Sequence, residues 1–174
     1  MASPTRRTLL SLPLAMLLPG CGFHPIYAAH GESQGPAEAG MGAVNVALIP
    51  ERSGQILRLA LQQRLGPPTS PRYDLAVSFS LNGEPIAIQT NSVPARVRLI
   101  GTAAWTLRAE DTAQSTMTSG TARVVDGFNE IDTQAFAADL ESEAVQKRIA
   151  LAIADQIALQ LALYFERHAV TAGN

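Results

Sequence analysis

The sequence predicts an α+β domain, a two-layer sandwich with two helices packed on one face of a four-stranded mixed sheet, in the order β-α-β-β-β-α. Three observations carry this reading. Residues 73–81 alternate strictly between apolar and polar, the mark of a half-buried strand. Residues 56–65 and 135–165 instead repeat their apolar positions at helical spacing. Finally, the segment from Val44 runs strand, helix, strand, and such a unit adds a parallel pair to an otherwise antiparallel meander.

The chain opens with a segment of another kind. Met1 to Gly20 has a charged start at Arg6 and Arg7, an apolar run from Leu9 to Leu18 and a small-residue end, which together make a secretory signal. That run, ten residues long, is about half of what a bilayer-spanning helix needs. Leu18-Pro19-Gly20-Cys21 resembles a bacterial lipobox, in which the cysteine receives diacylglyceryl on sulfur and becomes the new N-terminus. Pro19 departs from the small or β-branched residue usual there. Cys21 is the only cysteine, so it has no intramolecular disulfide partner; the plainer alternative is a free cysteine behind an ordinary signal. Thr5-Arg6-Arg7-Thr8-Leu9-Leu10 also looks like a twin-arginine export signal, although paired arginines are common in signals read by the general secretory route.

Residues 21–43 read as a tether. Ala28 to Ala43 holds Gly31, Gly35, Gly40, Gly42 and Pro36 with few large apolar side chains. A flexible coil of that length reaches roughly 20 Å on average. The folded domain is expected over residues 44–168, with residues 169–174 as a C-terminal tail.

Within the domain, Val44 to Ile49 is β-rich and stops at Pro50, giving a short first strand. Ser53 is a candidate cap for the first helix, whose apolar residues Ile56, Leu57, Ala60, Leu61 and Leu65 share a face before Gly66-Pro67-Pro68 ends it. The second strand spans Tyr73 to Leu81, and Asn82-Gly83 is a turn signal. Glu84 to Pro94, with two prolines, reads as an irregular or edge segment. A long third strand follows from Ala95 to Arg108. Val97, Leu99, Ala103, Trp105 and Leu107 line one of its faces; Arg96, Arg98, Thr102, Thr106 and Arg108 mark the other. Glu110 to Gln114 turns the chain into a fourth strand, Thr116 to Val125. The last helix begins near Thr133 or Ala135 and runs to Phe165. Glu143 and Lys147 are spaced for an i,i+4 pair, and Arg167 lies just past the end. Its main stripe runs through Leu140, Val145, Ile149, Ala152, Ile153, Ile157, Leu161 and Tyr164, while Leu151, Leu159, Leu163 and Phe165 extend it round the helix. So wide an apolar surface fits burial against the sheet and contact with a partner.

Composition narrows the function. Removing the signal takes away two of 13 basic residues and none of 15 acidic ones, leaving 11 − 15 = −4 formal charges. That balance disfavours non-specific nucleic-acid binding, which relies on phosphate-neutralising cations. His24 and His30 fall in the tether and His168 at the domain's end, so none is expected where a rigid scaffold would make it a base or metal ligand. There is no G-x-S-x-G elbow, H-E-x-x-H pair or glycine-rich phosphate loop, and no catalytic set, cofactor site or metal site is predicted. Asp139, Glu141 and Glu143 splay around a helix rather than converge. What remains is the arginine strip. Arg96 and Arg98 share a strand face about 6–7 Å apart, bounded by Ile100 and Ala104. If helices leave that face bare, its planar guanidinium forks suit the phosphates of a lipid. An ordinary solvated face is the other reading.

The segment Cys21-Gly22-Phe23-His24-Pro25-Ile26-Tyr27 resembles the opening of the mature LptE lipoproteins of Gram-negative bacteria. The likeness continues through Gly54-Gln55-Ile56-Leu57-Arg58-Leu59, the long third strand and the alanine-rich last helix. The resemblance implies a non-enzymatic outer-membrane lipoprotein, anchored on the periplasmic side through Cys21. Such a protein plugs the large barrel LptD, assists its assembly and binds lipopolysaccharide bound for the cell surface. Gly22 in place of aspartate resembles the pattern that sorts lipoproteins to the outer membrane. No family motif matches Arg96 or Arg98, which rest on their chemistry alone. Two other classes share some of these features: a small lipoprotein guiding another outer-membrane secretion or transport complex, and a periplasmic lipid-binding enzyme.

Overall fold

The structure, a computed structural model, describes residues 35–68, 70–88, 94–129 and 135–172. Its elements are α1 (Pro36–Met41), β1 (Val44–Val46), α2 (Arg52–Leu65), β2 (Tyr73–Ile88), β3 (Pro94–Ala109), β4 (Thr116–Asn129) and α3 (Ala135–Ala172). The four strands form one sheet in the order β1-β2-β3-β4. β1 is parallel to β2, as the strand–helix–strand unit predicts, and β2, β3 and β4 form an antiparallel meander. The expected α+β sandwich with a four-stranded mixed sheet is the fold observed.

Strand alternation decides which face is covered. Leu75 and Val77 of β2, Ala103, Trp105 and Leu107 of β3 and Ala122 of β4 are buried on one side. Over them lie Leu57, Leu61 and Leu65 of α2 and Val145, Ile149, Ile153, Ile157 and Leu161 of α3. Each such side chain removed from water contributes about 1.5–3 kcal/mol before chain entropy is set against it. The helix α3 lies across β3 and β4 and packs against α2. It comes so near β3 that a Cβ on Gly101 would overlap the side chain of Ile149. The same helix, from Ala137 to His168, is long and apolar enough to cross a membrane, yet 56% of its apolar 18-residue window is buried in the domain, so it packs here as a core helix.

Several expectations change. The tether predicted through Ala43 includes α1, whose Ala37 and Met41 are buried against the core. Pro36 at the first helical turn starts it, and Ala37 and Met41 sit i,i+4 on its inner side. Glycine and proline content masked this short amphipathic turn. Cys21 and the tether up to Gln34 lie outside the described residues. Asn82-Gly83 is no turn, because Asn82 pairs with Ile100 and Gly83 with Leu99 in mid-ladder. The segment expected to be irregular therefore continues β2 to Ile88, and β4 likewise runs on to Asn129. The Asn-Gly signal gave way to a long-range partner, since β3 offers sixteen residues for β2 to pair with.

Helix boundaries shift as well. α2 follows Glu51, which has φ 66°, and no side chain caps it; Ser53 lies inside the first turn. α3 continues to Ala172, so residues 169–172 of the expected tail are helical. Arg167 lies within it and donates from Nε to the Leu163 carbonyl at 3.0 Å. Glu143 reaches across to Arg52 of α2 at 2.8 Å rather than along its own helix to Lys147.

The packing of α1 is open to test. A Cβ on Gly40 would overlap the Phe165 ring. Gly40→Ala should therefore lower the free energy of unfolding by about 1–3 kcal/mol, read from the denaturant midpoint. A loose tether at this position would leave the midpoint unchanged.

Candidate functional site

Among the described residues, nothing covers the face of the sheet opposite the helices, the bare face of the sandwich. β2, β3 and β4 present their even, even and odd residues there, row by row: Ser78 beside Ala104 and Thr121, Ser80 beside Thr102 and Arg123, Asn82 beside Ile100 and Val125, Glu84 beside Arg98 and Gly127. The near half of this surface is small and flat, with Ala76, Ser78, Ala104 and Thr106 round a shallow notch at the β1 end. The far half is cationic and apolar. Arg96 and Arg98 are both exposed on this bare face, as the sequence required for them to form a strip.

The structure adds two residues that single-strand reading missed. Glu84 accepts from Arg98 Nη2 at 2.6 Å, with both side chains about half exposed (49% and 47%). Exposed pairs of this kind are worth at most about 1 kcal/mol, so a phosphate can compete for the guanidinium. Arg123 of β4 is the second: the register sets it beside Thr102, on the same face, and exposed. Nothing short of the β3–β4 register could have placed it there. Ile100 and Val125, the latter 45% exposed, lie between the arginines and supply apolar contact. Arg108 stands at the opposite end beside Asp74 and takes no part in the cluster.

The edge of β4 is closed from α3. Gln160 accepts the indole N–H of Trp105 at 2.9 Å and donates to the Thr121 carbonyl at 3.2 Å. Gln156 accepts the Arg123 N–H at 3.2 Å and donates to the Arg123 carbonyl at 3.5 Å, standing in for a neighbouring strand's peptide group. Further along, Asp126 takes the Gly127 N–H at 2.7 Å and Arg148 Nε of α3 at 2.8 Å. These polar residues interrupt the apolar run of α3 because they satisfy a strand edge. The hydrogen bond from Arg148 holds the Asp126 carboxyl below the ordinary carboxylate range, with help from the Gly127 N–H and the nearby charge of Arg96.

The remaining candidates do not converge. A cleft between α2 and α3 is lined by Arg52, Ile56, Leu140, Glu143 and Lys147, but its ion pair is largely solvent-exposed. His168 sits on α3, its Nδ1 2.8 Å from the Tyr164 carbonyl and its ring stacked on Tyr164. Among the described residues no three His, Cys, Asp or Glu side chains gather to hold a metal ion. Cys21, His24 and His30 lie outside the described residues.

Comparison with known proteins now bears on this geometry. The profile of the family described as LptE, lipopolysaccharide-assembly, matches residues 41–161, most of the chain and nearly all of the sandwich. The chain belongs to the LptE family. It is accordingly a non-enzymatic lipoprotein of lipopolysaccharide assembly, associated with a membrane. No curated protein sequence matches the chain. Among solved structures, a lipoprotein of Caulobacter crescentus CB15 is 23% identical with a TM-score of 0.62, covering 74% of this chain and 95% of its own. Rare lipoprotein B of Shewanella oneidensis is 12% identical at a TM-score of 0.52, covering 76% and 98%. Lipoprotein B of Nitrosomonas europaea is 13% identical, also at 0.52, covering 70% and 81%. At these identities the structures establish a shared fold and nothing finer. In this LptE-family domain the matched region contains the bare face, the arginines and the glutamine-closed edge, while Cys21 and most of α1 precede it.

The Asp126 contact sets a pH dependence. A carboxyl whose folded pKa is depressed stabilises the fold above its unfolded pKa of about 3.9, and that stabilisation is lost as pH falls through the lower folded value. Urea denaturation at a series of pH values should show a shallower acid loss in Asp126→Asn than in the parent protein. An identical acid profile would contradict the contact.

Proposed function

We propose that this protein is an outer-membrane lipoprotein, held on the periplasmic side by lipid on Cys21, that sits within the LptD barrel, assists its assembly and helps deliver lipopolysaccharide to the cell surface. The observation that carries this reading is the one-sided sandwich. An LptE-family domain with its helices on one face leaves a flat, small-residue sheet surface ending in Arg96, Arg98 and Arg123 around Ile100 and Val125. Flat sheet with small side chains suits close approach to a β wall. The mixed end has the two chemistries of a phosphorylated lipid, forks for phosphate and apolar contact for acyl chains. Exposed Leu159 and Leu163, one turn apart on α3, add apolar surface on the other side of the domain. No reaction is required of any residue.

In this account Arg96 and Arg98 grip lipid phosphate, Arg98 exchanging Glu84 for the ligand. Charge-assisted hydrogen bonds of this kind contribute about 1.5–3 kcal/mol each. The Arg96→Ala/Arg98→Ala variant should bind lipopolysaccharide at least about ten-fold more weakly, measured by titration of the purified protein, while its unfolding free energy moves by about 0.5 kcal/mol or less. Arg108→Ala, at the far end of the same face, should leave the affinity unchanged. The wider reading is tested by extracting the lipoprotein from membranes with detergent. Its intact mass should carry acyl chains on Cys21 and a large barrel should co-purify; an unacylated protein that comes away alone would contradict it.

A further inference from the structure

The two edges of the β2–β3–β4 meander are treated differently. On β4, the outward backbone groups of Thr121 and Arg123 are taken by Gln160 and Gln156, and that of Gly127 by Asp126. On the side of β2 away from β3, the only neighbour among the described residues is β1, which pairs with Tyr73 to Leu75 and ends. Its last bond runs from the Ala47 N–H to the Leu75 carbonyl at 3.0 Å. Leu75 therefore faces outward from the meander, and the unshifted register with β3 carries that alternation on through Val77, Phe79, Leu81 and Gly83. No strand among the described residues lies beside these four. Pro85, next in the series, has no N–H to offer and closes the far end, as proline does on sheet edges.

The open stretch of seven residues is roughly 20 Å long, the length of an ordinary strand. It offers N–H and C=O groups in pairs, repeating about every 6.8 Å by strand rise. Only an extended peptide backbone answers that repeat; lipid headgroups and helices do not. An exposed edge of this kind is an aggregation hazard unless something occupies it. The side chains flanking the edge specify the occupant. Val77 and Phe79 turn toward the core, whereas Ser78 and Ser80 turn to the bare face. An added strand would thus alternate apolar residues, continuing the core layer, with small ones, continuing the flat face. It would lie in line with β1 and cover the notch formed by Ala47, Leu48, Ala76 and Ser78, where Leu48 is 73% exposed.

We infer that the β2 edge from Val77 to Gly83 is completed by an extended segment of the barrel polypeptide, making a fifth strand of this sheet. The inference rests on the barrel partnership proposed above. The segment is one that lies outside the closed wall, because wall strands already have both edges paired. Recognition through the backbone supplies affinity, and the alternating side chains supply register.

Amide hydrogen exchange on the membrane-extracted lipoprotein, alone and with its co-purified partner, tests this directly. The amides of Val77, Phe79, Leu81 and Gly83 should exchange freely in the isolated protein and be protected at least about ten-fold in the complex. Those of Ser78 and Ser80, already bonded to β3, should be slow in both. Leu81→Pro removes an N–H that the fold does not use, and should reduce co-purified barrel several-fold. Ser119→Pro, at an outward amide of β4, should not. A barrel that co-purifies while the β2 amides stay unprotected, or that Leu81→Pro retains in full, overturns the inference and leaves the barrel reading standing. Protection by a polypeptide that is not a barrel overturns both the barrel reading and the inference. Protection by a second copy of this chain, seen as a dimer, overturns the inference, and a protein that extracts alone overturns both.

Discussion

The contact on which the rest of the molecule depends is the seating of α3 against β3 at Gly101. Ile149 and Ile153 occupy the space that a side chain would take there, so a helix of thirty-eight residues lies close along the sheet. From that position α3 buries Trp105 and Ala103 and gives α2 a second surface to pack on. It also brings Gln156, Gln160 and Arg148 to the margin of β4. Both helices being committed to one side, nothing among the described residues covers the other side of the sheet. The bare face and the closed β4 edge follow from this single packing choice, while the open β2 edge follows from the shortness of β1.

Stability in this domain comes from apolar burial and not from charge. No polar or charged side chain is among the buried residues, and no buried side-chain nitrogen or oxygen lacks a partner, among the described residues. The ion pairs Arg52–Glu143, Arg64–Asp155 and Arg148–Asp126 lie at the surface, where each contributes little. Their service is positional, fixing α2 to α3 and α3 to β4. The arginines of the bare face are therefore free of structural duty, apart from the exposed Arg98–Glu84 contact. A surface of this kind can be devoted to ligand and partner without weakening the core beneath it.

Much of this was legible in the sequence, for identifiable reasons. Alternation in β2 and β3 told which residues face the core and put Arg96 and Arg98 together on the opposite side. The short apolar run before Pro50 and the helix after it required a parallel pair. What a single sequence could not supply was pairing. Asn82-Gly83 carries the local chemistry of a turn, and only the length of β3 shows that it lies in mid-strand. Arg123 looked like one charge in a threonine-rich strand until the register set it beside Thr102. Gln156 and Gln160 read as interruptions of an apolar helix; their purpose appears only when the β4 edge is beside them. In α1, four glycines within sixteen residues concealed the i,i+4 pair of Ala37 and Met41.

In the function proposed above, the helix-free sheet face is open in the isolated protein and covered in its working state. Ala104 lies at the centre of that face and is exposed. With Cys21 the only native cysteine, and its sulfur taken up by lipid in this account, Ala104→Cys introduces a single reactive thiol. Its rate of alkylation by a maleimide, compared between purified lipoprotein freed of partners and intact outer membranes, reads the claim directly. Rapid modification of the isolated protein and strong protection in the membrane are expected. Equal rates in the two states would contradict the proposed function.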